Sequence, residues 1–341
     1  EAKSAGLTYI VMGIGGGLFL LVSVIATYAI TGTGDLSGVA TGLAGHPLTP
    51  YIFLGYIIGF GVKAGMFPVH VWLPSAHPVA PAPASALLSG VMIKAGAYGV
   101  IRTVYGLTGS SLLGNIPMGK TLLVIAIITM FLGSFMAIVQ TDIKRLLAYS
   151  SIAQMGYIIL GVSLLSPLGL VGAVIHIFNH ALMKGTLFLC AGAFIHQTGL
   201  RRVDDLRGIG RRMPLTMACF TMAGLSMIGI PLSVGFISKW YLALGGLESE
   251  ALGILGSGGG VVIVGFLLLS SLLNAFYYGP IIVRGWLGVP DVDGNMSEKR
   301  NDDPRWVMLA PICILALGTL VFGIFPQFPA GLAEAVKRLY F

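Results

Sequence analysis

Charged residues are scarce in this sequence. Asp, Glu, Lys and Arg make up 10% of its 341 residues, against 56% hydrophobic, and mean hydropathy is +0.90. A soluble domain carries roughly 25% charged residues, and so few charges cannot cover a water-facing surface of this size. That excludes a water-soluble enzyme, a nucleic-acid binder and a disordered chain. Cysteine is scarce too. Cys190, Cys219 and Cys313 are far apart, lie in apolar runs and form no Cys-x-x-Cys pair, so iron–sulfur, zinc and disulfide readings have no support. There is no Walker A sequence and no nucleotide-binding glycine fingerprint; Gly13-Ile-Gly-Gly-Gly17 lies in an apolar stretch and reads as close helix packing. No histidine pair suits a haem across a membrane, and the 49 glycines and 17 prolines follow no collagen-like period. No cleavable signal sequence opens the chain. Its first residue is Glu1 rather than Met, which leaves open that the sequence is an internal fragment.

Long apolar runs are abundant. A membrane helix needs about 20 apolar residues, and about nine crossings can be drawn, at 7–30, 51–82, 84–105, 120–140, 146–165, 169–197, 214–246, 258–284 and 306–325. The expected fold is an all-α polytopic membrane protein. Basic residues cluster in alternate connections: Lys144 and Arg145 in 142–145, five arginines in 199–213, and Lys299, Arg300 and Arg305 in 285–305. The connections 31–50, 106–119, 166–168 and 247–257 contain no Lys or Arg. The positive-inside rule then predicts a cytoplasmic N-terminal end and an external C-terminal end, with Lys337 and Arg338 as exceptions. The net charge of +7 follows from this bias rather than from affinity for nucleic acid.

Two crossings are interrupted. In 51–82, Pro68, Pro74, Pro78 and Pro81 follow Gly61 and Gly65; in 214–246, Pro231 and Gly235 separate two apolar halves. Proline removes a donor and clashes with the preceding turn. Non-helical backbone at membrane depth survives only where protein buries it or water reaches it, and paired broken helices suggest repeats around a transport path. Two kinks without a role are the alternative.

Ionisable groups at mid-membrane cost about 2.5–3.5 kcal/mol each on insertion scales. Lys63 lies just before the first break, Lys94 well inside the next crossing, and Lys239 just after the second break. His176, His180 and Lys184 recur every four residues, which stacks them on one helix face over about 12 Å. Lys120 and Arg284 are read as snorkelling to the interface, and His196 as a helix–helix hydrogen bond. All 13 acidic residues lie outside the crossings or at their ends. The buried lysines therefore either have counter-ions beyond this chain or carry protons transiently. Metal binding by the two histidines is disfavoured by the neighbouring lysine and the lack of an acidic or sulfur ligand.

These residues sit in longer motifs. Gly61-Val-Lys-Ala-Gly-Met-Phe-Pro-Val-His-Val-Trp-Leu-Pro74, Ala76-His-Pro78, Pro81-Ala-Pro-Ala-Ser-Ala86, Gln140-Thr-Asp-Ile-Lys-Arg-Leu-Leu-Ala-Tyr-Ser-Ser151, Gln154-Met-Gly-Tyr157, His176-x3-His180-x3-Lys184 and Gly235-Phe-Ile-Ser-Lys239 occur in that order. Together they resemble the antiporter-like, proton-translocating subunits shared by respiratory complex I, Mrp cation/proton antiporters and membrane-bound nickel–iron hydrogenases. The stretch around His70 and His77 looks most like the hydrogenase type. The resemblance implies two inverted five-helix repeats, each with a broken helix. Residues 1–105 would hold the last three helices of the first repeat and 120–284 the second repeat, with 285–341 forming a loop, the final helix 306–325 and a tail.

The resemblance further implies that Lys63 and Lys239 mark the two breaks, and that Lys94, His176, His180 and Lys184 form a central polar axis for protons. It implies upstream helices bearing a glutamate partner for Lys63, which nothing here supplies. It places the chain in a prokaryotic cell membrane beside other membrane subunits of an ion-pumping complex. No cofactor, redox or hydrolytic site is recognised in this chain; iron–sulfur clusters and nickel–iron chemistry would belong to partner subunits. The alternatives are an Mrp-type Na⁺/H⁺ antiporter subunit without redox coupling and a structural spacer.

Overall fold

Long apolar runs separated by short stretches that carry proline, glycine or charge dictate a bundle of helices joined by short connections. A computed structural model describes residues 1–107, 118–289 and 302–341, and the described residues are helical apart from these connections. The one extended pairing among them is an isolated bridge between Asp142 and Arg202. Lys299 and Arg300 lie outside the described residues.

Helix α1, Ala2–Thr31, has no charge after Lys3 and ends on Gly32 in the left-handed region. After a short α2, Leu36–Leu43, α3 runs Thr49–Ala64 and stops at Gly65, φ 71°. Residues 65–71 are not helical, and α4 follows at Trp72–Val79. α5, Ala82–Leu107, contains two π-helical turns, Leu88–Met92 and Arg102–Leu107. Next come α6, Met118–Ile138, α7, Ile143–Ser163, and α8, Pro167–Thr198. Asp142 caps α7 by accepting from the Arg145 N–H at 3.0 Å, and Ser166 caps α8 by accepting from the Gly169 N–H at 3.1 Å. α9, Pro214–Ile228, ends at Gly229, φ 95°. α10, Val234–Ala251, begins five residues later. α11 is Gly259–Leu287, α12 Trp306–Ile324 and α13 Gln327–Lys337.

Seven helices (α1, α5, α6, α7, α8, α11 and α12) are long and apolar enough to cross a membrane. The stretches 51–82 and 214–246, each expected as one interrupted crossing, are built as the pairs α3/α4 and α9/α10. The helix α13 lies beyond the expected final crossing and packs Ala333 with Val171 and Ile175 of α8.

Burial differs sharply along the chain. Most of α7 is enclosed, whereas α1 turns Leu7, Val11, Leu18 and Val22 outward. Exposed apolar side chains of that size suit lipid, not water. The enclosed α7 and α8 carry many of the buried polar residues, including Gln154, His176, His180 and Lys184.

The ends of the bundle are tied in two groups. Arg201 pairs with Asp142 at 3.2 Å, Arg284 with Asp204 at 2.7 Å and Arg212 with Asp302 at 2.7 Å. The three basic connections therefore lie together, joined by the end of α4, whose Ala80 carbonyl accepts from Lys144 at 2.7 Å. At the other end Glu248 accepts from the Leu168 N–H at 2.7 Å, and Ser249 donates to the Leu164 carbonyl at 2.7 Å.

Candidate functional site

The site grows from α7 and α8, the two most enclosed helices. Lys184 of α8 is fully buried; its ammonium donates to the Leu147 carbonyl at 2.8 Å and to the Tyr278 hydroxyl at 3.2 Å. The rings of Phe188 and Tyr278 flank it, with centroids at 6.0 and 5.9 Å, which is cation–π range. One turn towards the start of α8, His180 is also fully buried, and its ring nitrogens make no hydrogen bond among the described residues. Another turn back, His176 stacks on His180 with centroids 6.0 Å apart and planes at 13°. Both His176 nitrogens are engaged: Nδ1 lies 2.8 Å from Ser238 Oγ and Nε2 lies 3.1 Å from Gln154 Oε1. Stacked rings with those partners do not converge on a point between them, as metal ligands must.

Lys94 follows the first π turn of α5 and donates to the Ser89 carbonyl within that turn. A π turn releases a carbonyl from the regular ladder, and such turns recur at functional sites. The Ser89 hydroxyl meets Ser151 Oγ of α7 at 2.8 Å, so the Lys94 turn is joined to the central helix.

Lys239 lies in the second turn of α10. Its ammonium donates to the Met227 and Ile228 carbonyls at 3.0 and 2.8 Å and to Ser271 Oγ at 2.9 Å. These are the last carbonyls of α9, the negative end of that helix. The Tyr157 ring lies below it, its centroid 5.1 Å from Nζ.

Lys63 differs. It is partly exposed and has no hydrogen bond or ion pair among the described residues. No Asp or Glu among the described residues is buried. The three buried lysines of the site, Lys94, Lys184 and Lys239, therefore rest on carbonyls, hydroxyls and rings. A buried charge needs such partners, since desolvation alone costs several kcal/mol.

Reading the sequence for ionisable groups misses the residues that connect them. Tyr278 lies 2.8 Å from Ser150 Oγ, and Tyr277 donates to Ser150 Oγ at 3.0 Å or to Asn274 Oδ1. The Asn274 amide donates to the Met227 carbonyl at 3.1 Å, the same oxygen that accepts from Lys239. A hydrogen-bonded row thus runs Lys184, Tyr278, Ser150, Tyr277, Asn274, Met227, Lys239. The signal was available: two tyrosines and an asparagine deep in the apolar 258–284 run have no lipid-facing use. His77 is a second omission. It is fully buried in α4, stacked on Phe188 at 4.4 Å, and its nitrogens have no protein partner among the described residues. Its backbone carbonyl accepts from Ser85.

A family model described as NADH:quinone oxidoreductase/Mrp antiporter, TM, matches residues 1–263. The NADH-quinone oxidoreductase subunit N of Desulforudis audaxviator is 40% identical over 95% of this chain and 65% of its own length. Hydrogenase-4 component B of Escherichia coli is 34% identical over 93% of this chain and 49% of its own length. The chain thus spans half to two thirds of the length of these relatives. Among solved structures, the Mrp complex from Dietzia sp. DQ12-45-1b contains a chain with the same fold, at TM-score 0.86 and 23% identity, over 99% of this chain and 68% of that one.

Proposed function

Because the chain belongs to the NADH:quinone oxidoreductase/Mrp antiporter transmembrane family, we propose that it is a proton-translocating, antiporter-like subunit of a membrane-bound, redox-driven ion-pumping complex. Its partners are other membrane subunits, and any iron–sulfur or nickel–iron chemistry resides in them. The membrane is a prokaryotic cell membrane, with the N-terminal end of the chain on the cytoplasmic side.

Nine crossings fit this reading, the pairs α3/α4 and α9/α10 each making one discontinuous span. Support comes from the two tied ends of the bundle: the connections that the count assigns to one side are hydrogen-bonded or ion-paired to one another. The repeats divide as 1–105 and 120–284, followed by 285–341.

The observation that carries the function is the row of polar groups linking Lys184 to Lys239. Protons pass along Lys94, His176, His180 and Lys184 and cross to Lys239 beside the second break, with Lys63 serving the first. Tyr278, Ser150 and Tyr277 each hold a hydroxyl proton and accept another, so they relay; the Asn274 amide does not, and water completes the last step past it. The lysines act as switches on one another. Like charges repel strongly in a low-dielectric interior, so loading one favours release from the next.

The test is proton movement in vesicles containing the assembled complex. Lys184→Ala and Lys239→Ala should abolish redox-coupled proton movement while the complex still assembles, and Tyr278→Phe should slow it about tenfold, corresponding to roughly 1.4 kcal/mol in the transfer barrier. Normal pumping in assembled Lys184→Ala and Lys239→Ala variants would favour the spacer role and overturn the proposal. Movement that tracks a sodium gradient with no redox substrate would replace it with Na⁺/H⁺ exchange.

A further inference from the structure

On the flank of the bundle, α5, α8 and α12 enclose an open groove of about 950 Å³. Its walls are almost wholly apolar. Gly90, Ala181 and Gly185 form the floor, and Pro311 and Leu315 form one side. Polar residues gather at one end only, where Arg305 and His196 line the mouth. That end belongs to the tied basic connections, since Arg305 follows the Asp302 that pairs with Arg212. Arg305 and His196 are both exposed, and neither has an ion pair among the described residues.

The depth of the groove is informative. It follows α12 from Arg305 to Leu315 and α8 from His196 back to Ala181, about 15 Å and about 22 Å of helix. Half a hydrocarbon core is about 15 Å, and one leaflet with its headgroups about 20–22 Å. The α12 helix itself continues to Ile324, beyond the last residue that lines the groove. A transmembrane helix of a neighbouring subunit would need a groove of full thickness. A lipid of one leaflet needs half of it, with a cation at the interface.

We propose that this groove is a binding site for one anionic phospholipid of the basic-side leaflet, its acyl chains along Gly90, Ala181 and Gly185 and its phosphate at Arg305 and His196. The charge complementarity is direct: a guanidinium with no ion pair among the described residues stands at headgroup level above an apolar slot, and arginine is the side chain suited to phosphate. The site has a consequence for the path described above. Gly185 adjoins Lys184, and Gly90 adjoins Ser89, whose carbonyl holds Lys94. Neither glycine brings a side chain between groove and lysine, so the acyl chains complete the low-dielectric wall around that part of the path. This consequence rests on the proposed proton path; the binding site does not.

The experiment uses the assembled complex in its native membrane. Leu182, which lines the groove, is replaced by a benzophenone-bearing photoreactive residue, and the cross-linked subunit is weighed after purification. The expected product is an adduct with the mass of an intact anionic phospholipid. It should persist in Arg305→Lys and fall at least about fivefold in Arg305→Glu, since one basic residue near the surface contributes about 1 kcal/mol to binding an anionic lipid. An adduct to a protein chain, no adduct, or lipid adducts that mirror bulk composition and ignore Arg305 would each overturn the site. If the lipid adduct forms as expected while Lys184→Ala leaves pumping intact, the proton path fails and the lipid site stands.

Discussion

The two helix breaks use the same backbone device and opposite side-chain logic. Each first half ends on a glycine in the left-handed region, Gly65 at φ 71° and Gly229 at φ 95°. At the second break the freed carbonyls of α9 are held by Lys239, which reaches back from α10. At the first, the Val62 carbonyl accepts from the Gly65 N–H at 3.1 Å and from the indole N–H of Trp72 at 2.7 Å, and Lys63 stays on α3, partly exposed and without a partner among the described residues. A neutral donor thus closes one break and a cation closes the other. The difference separates two jobs that a lysine beside a break can do. Lys239 is at once a structural clasp and a candidate proton site, while Lys63 has no clasp to lose.

The largest expected effect follows from that separation. Lys239→Ala should lower the stability of the assembled subunit by about 3 kcal/mol, because hydrogen bonds from a charged donor are strong and two carbonyls lose a partner, and it should also abolish pumping. Lys63→Ala should abolish pumping with a stability change within about 0.5 kcal/mol. Thermal unfolding of the purified complex, read beside proton flux, checks both. Equal destabilisation by the two variants would erase the contrast.

Next in size is Gly229→Ala, expected to cost about 2 kcal/mol. A left-handed φ costs an L-residue roughly 1–2 kcal/mol, and the new methyl would lie 3.0 Å from Lys239 Cδ and 3.2 Å from its Nζ. The strain and the crowding act on the same clasp, so Gly229→Ala should also impair pumping. Trp72→Phe keeps the ring at the first break but removes its N–H, and should cost about 1 kcal/mol. Because no proton site uses that indole, its effect on flux should be small. A flux loss matching that of Gly229→Ala would mean that the two breaks work alike after all.

Much of this arrangement is legible in the sequence, and the limits have physical causes. The helix ends at Ala64 and Ile228 follow from glycine and proline, whose backbone preferences are local. The stacking of His176 and His180 follows from helical period alone. What is not legible depends on partners distant in the chain. Ser238 and Gln154 hold His176 from two other helices, and Tyr278 reaches Lys184 across 94 positions. Hydroxyls and amides carry no charge, so their depth in an apolar run raises less alarm than that of a lysine. Cys219 and Cys313, far apart in sequence, lie with their sulfurs 3.9 Å apart, which no spacing rule predicts. The exposure of Lys63 is likewise a matter of what packs beside α3. The α13 helix went unanticipated because it is too short and too polar to register as a crossing.

The smallest effect concerns the far end of the first broken span, where α4 meets the basic connections. The α4 carbonyls there are met by cations from the basic connections: Lys144 donates to Ala80 at 2.7 Å and Arg201 to Pro78 at 2.9 Å. The far end of the first broken span is thus held by one buried lysine and one exposed arginine from the basic connections while Lys63 at its break holds nothing, whereas the buried cation of the second span clasps its break. Arg201 has 49% of its side chain exposed and shares its charge with Asp142, and exposed pairs contribute about 0.2–1 kcal/mol. Arg201→Ala should therefore cost no more than about 1 kcal/mol, and less at high salt, because exposed charges are screened over about 8 Å at physiological ionic strength. Lys239→Ala should show no such salt dependence, since the lysine itself is buried. Measuring both variants at low and high salt isolates where each broken span keeps its charge. A salt-insensitive loss in Arg201→Ala would mean that this end is sealed from water, and that the first broken span is held there instead of at its break.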